Sequence, residues 1–96
     1  MLKLLLVEDN PKLRTALAVG LDATRAVQTI HACDSGEDAL AYCIQTSDVS
    51  EDIRCLIDVI LMDVQLAGEM NGIQSAFAIR REFPRLPVVF YSIQDD

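Results

Sequence analysis

Three apolar runs in this 96-residue chain end directly in side chains able to do chemistry together. Glu8 and Asp9 follow Leu4-Leu5-Leu6-Val7, Asp63 follows Leu56-Ile57-Asp58-Val59-Ile60-Leu61-Met62, and Ser92 follows Pro87-Val88-Val89-Phe90-Tyr91. Runs of this composition read as buried strands of a parallel sheet, and in such sheets ligands bind outside the carboxyl ends of the strands. If the first and central strands are neighbours, three carboxylates converge. They repel one another unless a hard divalent cation binds or some of them take up protons, and Mg2+ favours a few carboxylates plus water and phosphate oxygens. With a hydroxyl at the same sheet edge, the economical reading is a cation-assisted phosphoryl site. Acids after a strand are also common as helix caps, so the argument rests on the joint placement of Glu8, Asp9, Asp63 and Ser92 rather than on any one of them.

The elements that must position these groups alternate in type. Residues 4–7 form the first strand, and Asn10-Pro11 starts a helix with a capping side chain and a proline in its first turn. Leu13, Leu17, Gly20 and Leu21 share one face of that helix; Gly20 either permits a close helix–sheet contact or is a weak spot near the helix end. Residues 26–31 read as a more polar second strand, suited to an edge. Asp34-Ser35-Gly36-Glu37 opens a second helix, ending by Thr46, with Ala39, Leu40, Cys43 and Ile44 as its inner stripe. Residues 47–52 are polar, without periodicity, and read as a surface loop. After the central strand, the loop of residues 65–72 carries two glycines that permit positive φ. A third helix follows with Ile73, Ala76, Phe77 and Phe83 inward, stopped by Pro84 ahead of a fourth strand over residues 87–91. Right-handed crossovers turn this strand–helix alternation into a doubly wound parallel α/β sheet with helices on both faces.

Composition narrows the function. A chain of 96 residues that is 51% hydrophobic and 5% aromatic fits one small domain with an aliphatic core. A net charge of −7 argues against binding to nucleic acid or an anionic membrane by this segment. Cys33, Cys43 and Cys55 are odd in number and lack C-x-x-C spacing, so they read as reduced, mostly buried thiols of a cytosolic protein; with the lone His31 they complete no soft-metal set. The apolar start is too short for a signal peptide, and no run approaches the ~20 residues of a membrane span.

The same residues resemble the receiver domain of two-component response regulators. Leu6-Val7-Glu8-Asp9-Asn10-Pro11 is similar to the family's first strand with its acidic pair, and Gly36-Glu37-Asp38-Ala39-Leu40 to the start of its second helix. Ile60-Leu61-Met62-Asp63 resembles the phospho-acceptor strand, and Pro87-Val88-Val89-Phe90-Tyr91-Ser92 the fourth strand with its switch hydroxyl. The resemblance implies a flavodoxin-like sheet of order 2-1-3-4. It makes Asp63 the acceptor of a phosphoryl group from a phosphohistidine of a sensor kinase or phosphotransfer protein. Asp9, Asp63 and the backbone carbonyl of Gln65 would hold Mg2+, with Glu8 acting through water, and Ser92 would meet a phosphoryl oxygen.

Some features depart from the family. Ala67 stands where many relatives have proline, one extra residue precedes Asn71-Gly72, and the link over residues 47–52 is long. The chain stops four residues after Ser92, so it reads as a receiver lacking the family's final helix, strand and helix, and with them the lysine that pairs with the acyl phosphate. Lys3 sits at the wrong end of its strand, and Lys12 reads as a solvated helix lysine. For these residues alone the expectation is weak Mg2+ binding and little lasting phosphorylation. It also includes an uncovered fourth strand, with Val88 and Phe90 or Val89 and Tyr91 facing water, that favours a homodimer. Two other classes compete: a receiver-like interaction module that never takes phosphate, and an Asp-nucleophile phosphatase of the haloacid dehalogenase type. The latter wants a second Asp at the position of Gln65.

Overall fold

The computed structural model describes residues 1–48 and 52–93, without the side chain of Cys55. The elements run β1 (Leu2–Val7), α1 (Pro11–Ala23), β2 (Val27–Cys33), α2 (Gly36–Ser47), a 3-10 turn (Ile53–Cys55), β3 (Val59–Asp63), α3 (Gly72–Glu82) and β4 (Val88–Tyr91). The four strands form one sheet in the order β2-β1-β3-β4, every pair parallel. Right-handed crossovers then fix the layers: the step from β1 to β2 runs opposite to the steps from β2 to β3 and β3 to β4, so α1 lies on one face and α2 with α3 on the other. Among the described residues no helix is long and apolar enough to cross a membrane.

The core lies between the sheet and the α2–α3 layer. Leu5 and Val7 of β1 and Ile60 and Met62 of β3 pack with Ala39 and Cys43 of α2, Ile79 of α3 and Leu86. Strand alternation sends Leu4 and Leu6 to the α1 face, where they are also buried. Leu13, Leu17 and Leu21 of α1 are half-buried, as their shared face requires. The Asn10 cap read from the sequence is in place, its Oδ1 accepting from the N–H groups of Lys12 and Leu13 at 3.0 and 3.1 Å, and α2 is capped by Ser35, whose Oγ accepts from Asp38 N at 3.1 Å. Asn71 and Gln74 form a reciprocal capping box at the start of α3.

The central run divides differently from its composition. β3 begins only at Val59, because the preceding residues follow a 3-10 turn in which Leu56 N and Ile57 N both donate to Ile53 O at 2.9 Å. Ile57 is fully buried from that turn. Asp58 marks the change: its Oδ2 accepts from Lys3 N at 2.7 Å while its own N–H donates to Lys3 O at 2.8 Å, stitching the entry of β3 onto β1. Asp63 is accordingly the last residue of β3 rather than one step beyond it. β1 starts two residues earlier than the apolar run, and β2, an edge strand as expected, continues to Cys33.

Helix stripes show the largest departures. On α3 the buried residues are Gly72, Ser75, Ala76 and Ile79, whereas Ile73 is 47% and Phe77 72% exposed. Phe83 packs against the core as a half-buried side chain, and so does Leu40, but Ile44 of α2 faces solvent. Ile73, Phe77, Arg80, Val88 and Phe90 line an open apolar groove of about 390 Å³ between α3 and β4. Of the loop expected over residues 47–52, Ser47 is instead the last residue of α2, one beyond the expected end at Thr46, and residues 49–51 lie outside the described residues.

The glycines separate by cause. Gly68 takes φ 114°, as the loop reading expected. Gly72 does not: it opens α3 where a Cβ would collide with the backbone carbonyl of Asp63 and with Val64, so contact, not φ, demands glycine there. Gly20 has no atom within 4 Å of where its Cβ would sit, which leaves no close helix–sheet contact to explain. Gly72→Ala should therefore cost about 3 kcal/mol, since backbone cannot yield as a side chain can. Gly20→Ala should add up to about 1 kcal/mol from helix propensity. Urea or thermal unfolding of both variants checks the pair, and equal effects would contradict the assignment.

Candidate functional site

Register brings the acids together. Val7 of β1 pairs with Met62 of β3, so the next residues on each strand, Glu8 and Asp63, emerge side by side at the carboxyl end of the sheet. Glu8 N still donates to Cys33 O at 3.0 Å, which holds it in line with β1, and Arg14 Nη1 donates to Glu8 O at 2.9 Å from α1. Glu8, Asp9 and Asp63 each offer a carboxylate oxygen within 4.8 Å of the others. With Asn10, Leu13, Gln65 and Ile93 they line a cavity of about 390 Å³.

Each carboxylate is oriented by a donor. Asp63 Oδ1 accepts from Gln65 N at 3.0 Å, and Asp9 Oδ2 from Ala67 N at 3.0 Å, so the loop after β3 folds back onto both acids. That loop is held in turn by Glu37 of α2, whose Oε1 accepts from Met70 N at 2.9 Å, and by Gly72 N donating to Val64 O at 3.2 Å. Glu8 is the buried member, 1% exposed, with Oε2 accepting from Asn10 N and Oε1 from the Tyr91 hydroxyl, both at 2.8 Å. Burial pushes the Glu8 carboxyl above the usual carboxylate range, opposed by these two donors and reinforced by the neighbouring Asp9 and Asp63. Burial, and then the hydrogen bond to Glu8, likewise raises the Tyr91 phenol.

Of the residues singled out from sequence, Glu8, Asp9, Asp63 and Gln65 share one cavity. Ser92 follows β4 as an exposed residue and is not among the residues lining that cavity. Lys12 is exposed in the first turn of α1. His31 stacks on Tyr42 with ring centroids 4.1 Å apart. Cys33 and Cys43 are buried free thiols, pushed up to about 12 and about 11 by burial, so they stay protonated and unreactive at neutral pH. Tyr91 is the residue that sequence reasoning missed, having been taken as strand and, with Val89, as one of two alternating pairs facing water; neither pair is exposed as such, since Val89 and Phe90 face water while Val88 and Tyr91 are half-buried. The available signal was its type: a buried tyrosine needs a partner for its hydroxyl, and the end of a strand beside acid-bearing strands offers one.

The donor set is all carboxylate oxygen, converging and partly buried, which suits a hard cation such as Mg2+. An Asp at the same edge can act as a nucleophile once its charge is offset.

Comparison with known proteins agrees with this fold. The response regulator receiver domain family matches residues 4–96. The chain is 31% identical over 98 residues to the transcriptional regulatory protein LiaR of Bacillus subtilis (strain 168), covering 100% of this chain and 42% of that protein. It is 33% identical over 92 residues to protein-glutamate methylesterase/protein-glutamine glutaminase 1 of Syntrophus aciditrophicus (strain SB), covering 96% of this chain and 23% of that one. It thus spans less than half the length of either relative. Among solved structures, the signal receiver domain of a modulated diguanylate cyclase from Desulfovibrio desulfuricans G20 superposes with a TM-score of 0.75 at 23% identity, over 100% of this chain and 68% of that one. Strand order, acid-lined sheet edge and the match over nearly every residue converge: this chain belongs to the response regulator receiver domain family.

Proposed function

We propose that this chain is the phospho-accepting receiver domain of a two-component response regulator, taking a phosphoryl group from a sensor kinase or phosphotransfer phosphohistidine onto Asp63. The observation that carries the reading is the convergence of Glu8, Asp9 and Asp63 at the ends of two adjacent parallel strands. In the transfer, an Asp63 carboxylate oxygen forms a bond to phosphorus while the bond from phosphorus to the histidine nitrogen breaks. Mg2+, held by Asp9, Asp63 and the Gln65 carbonyl with Glu8 acting through water, would supply the charge neutralisation that a weak carboxylate nucleophile needs. The Gln65 N–H fixes one oxygen of Asp63, leaving the other to attack. Ser92 would meet a phosphoryl oxygen. The domain would be a cytoplasmic signalling element whose catalysis is confined to its own phosphorylation and dephosphorylation, with no nucleic acid or membrane bound by this segment.

Continued through the family's final helix, strand and helix, the chain is expected to be labelled on Asp63 by a small acyl phosphate with Mg2+. Borohydride trapping and peptide mapping read the site. A modified peptide lacking Asp63, or undiminished labelling of Asp63→Asn, would overturn the assignment.

A second property of the same chain, pairing of two copies across the α3–β4 groove, is supported by the exposure, among the described residues, of Ile73, Phe77, Val89 and Phe90 along that groove and the outer face of β4. Each large apolar side chain left in water forgoes about 1.5–3 kcal/mol, against a net stability of ~5–15 kcal/mol for a small domain. Light scattering at micromolar concentration should give twice the monomer mass. A sharply melting monomer would contradict the pairing.

A further inference from the structure

Tyr91 lies on β4 and Glu8 at the end of β1, two strands that do not pair because β3 runs between them. Tyr91 is the register partner of Asp63, and its hydroxyl spans the edge of the sheet to donate to Glu8 Oε1 at 2.8 Å, with Val7 O at 3.3 Å as the longer alternative. The other Glu8 oxygen is taken by Asn10 N–H, so this 1%-exposed carboxylate has both oxygens fixed. Asp9 and Asp63 are each held by a backbone N–H of the loop after β3. Glu8 differs in that one of its two donors is a side chain from a distant strand, which substitution can remove without altering the backbone.

We propose that the Tyr91 hydroxyl is a positioning residue for the cation site, holding Glu8 in the orientation that serves Mg2+; this rests on the cation reading given above. Groups that hold a metal's carboxylate or water partners commonly set its affinity, and losing one typically weakens binding by about 10–100-fold. Tyr91 also accepts Val64 N–H through its carbonyl at 3.0 Å and directly precedes Ser92, so the cation site is tied to the end of β4.

Calorimetric Mg2+ titration of the chain and its variants tests this. Tyr91→Phe keeps the ring and should weaken Mg2+ binding by about 10-fold. In a Glu8→Gln background the same change should weaken it no further. Uptake of Mg2+ that Tyr91→Phe leaves unchanged, or a loss of equal size in the Glu8→Gln background, overturns the positioning role alone. Failure of the unsubstituted chain to take up Mg2+ overturns the cation reading and this inference with it. Should Tyr91→Phe not fold, Tyr42→Phe leaves Tyr91 as the sole tyrosine of the two in the sequence. Mg2+ should then shift the near-ultraviolet tyrosine absorption, and a spectrum unmoved at saturating Mg2+ overturns the proposal.

Discussion

Mutual repulsion among three carboxylates crowded within 4.8 Å is the constraint around which the rest of the chain is arranged. Asp9 and Asp63 reach toward water, whereas Glu8 is buried, and burial raises its carboxyl above the ordinary range. A raised carboxyl contributes to folding below its ordinary range, and that contribution is lost as pH rises through its elevated range. The scaffold holds the cluster against its own repulsion through the hydrogen bonds it supplies to each carboxylate. A divalent cation would relieve the same repulsion without protonation, which ties cation binding to the packing that crowds the acids.

The scaffold meets this constraint by backbone contacts. Parallel pairing of β1 with β3 sets two of the acids side by side, and the loop after β3 returns its N–H groups to Asp63 and Asp9. That loop can close tightly because Gly72 lets α3 start against the carbonyl of Asp63, and because Glu37 at the start of α2 accepts from Met70 N. The residue after the acidic pair, Asn10, both caps α1 and donates its N–H to Glu8, so one short segment starts a helix and orients a ligand. Few of these contacts involve a charged pair; the site is built mainly from backbone donors aimed at carboxylates, which are stronger than neutral hydrogen bonds and need no mobile side chain.

Much of this was legible in the sequence, and the limits have physical causes. Buried strands ending in acids, the Asn10 cap and the opening of a second helix at Asp34-Ser35-Gly36-Glu37 each depend on local composition, and each is present as read. Strand order came from resemblance to a family, because right-handed crossovers restrict layers without choosing neighbours. The inward faces of the helices were misread at Ile44, Ile73 and Phe77, since an apolar residue at helical spacing faces the core only if something covers it there. The start of β3 was misplaced because the apolar pair Leu56 and Ile57 looks the same just after a 3-10 turn as it does in a strand. Tyr91 escaped notice because its partner is distant in sequence and belongs to a strand with which its own does not pair.

The central claim is that Glu8, Asp9 and Asp63 form a divalent-cation site. Thermal unfolding of the chain in Mg2+ and in a potassium salt of matched ionic strength tests it directly, because a ligand bound only by the folded state stabilises by about 2.7 kcal/mol at a hundredfold excess over its dissociation constant. The account predicts a midpoint that climbs with Mg2+ beyond the effect of potassium, and that loses this excess in Asp9→Asn. Equal midpoints in the two salts, or an undiminished Mg2+ effect in Asp9→Asn, would contradict it.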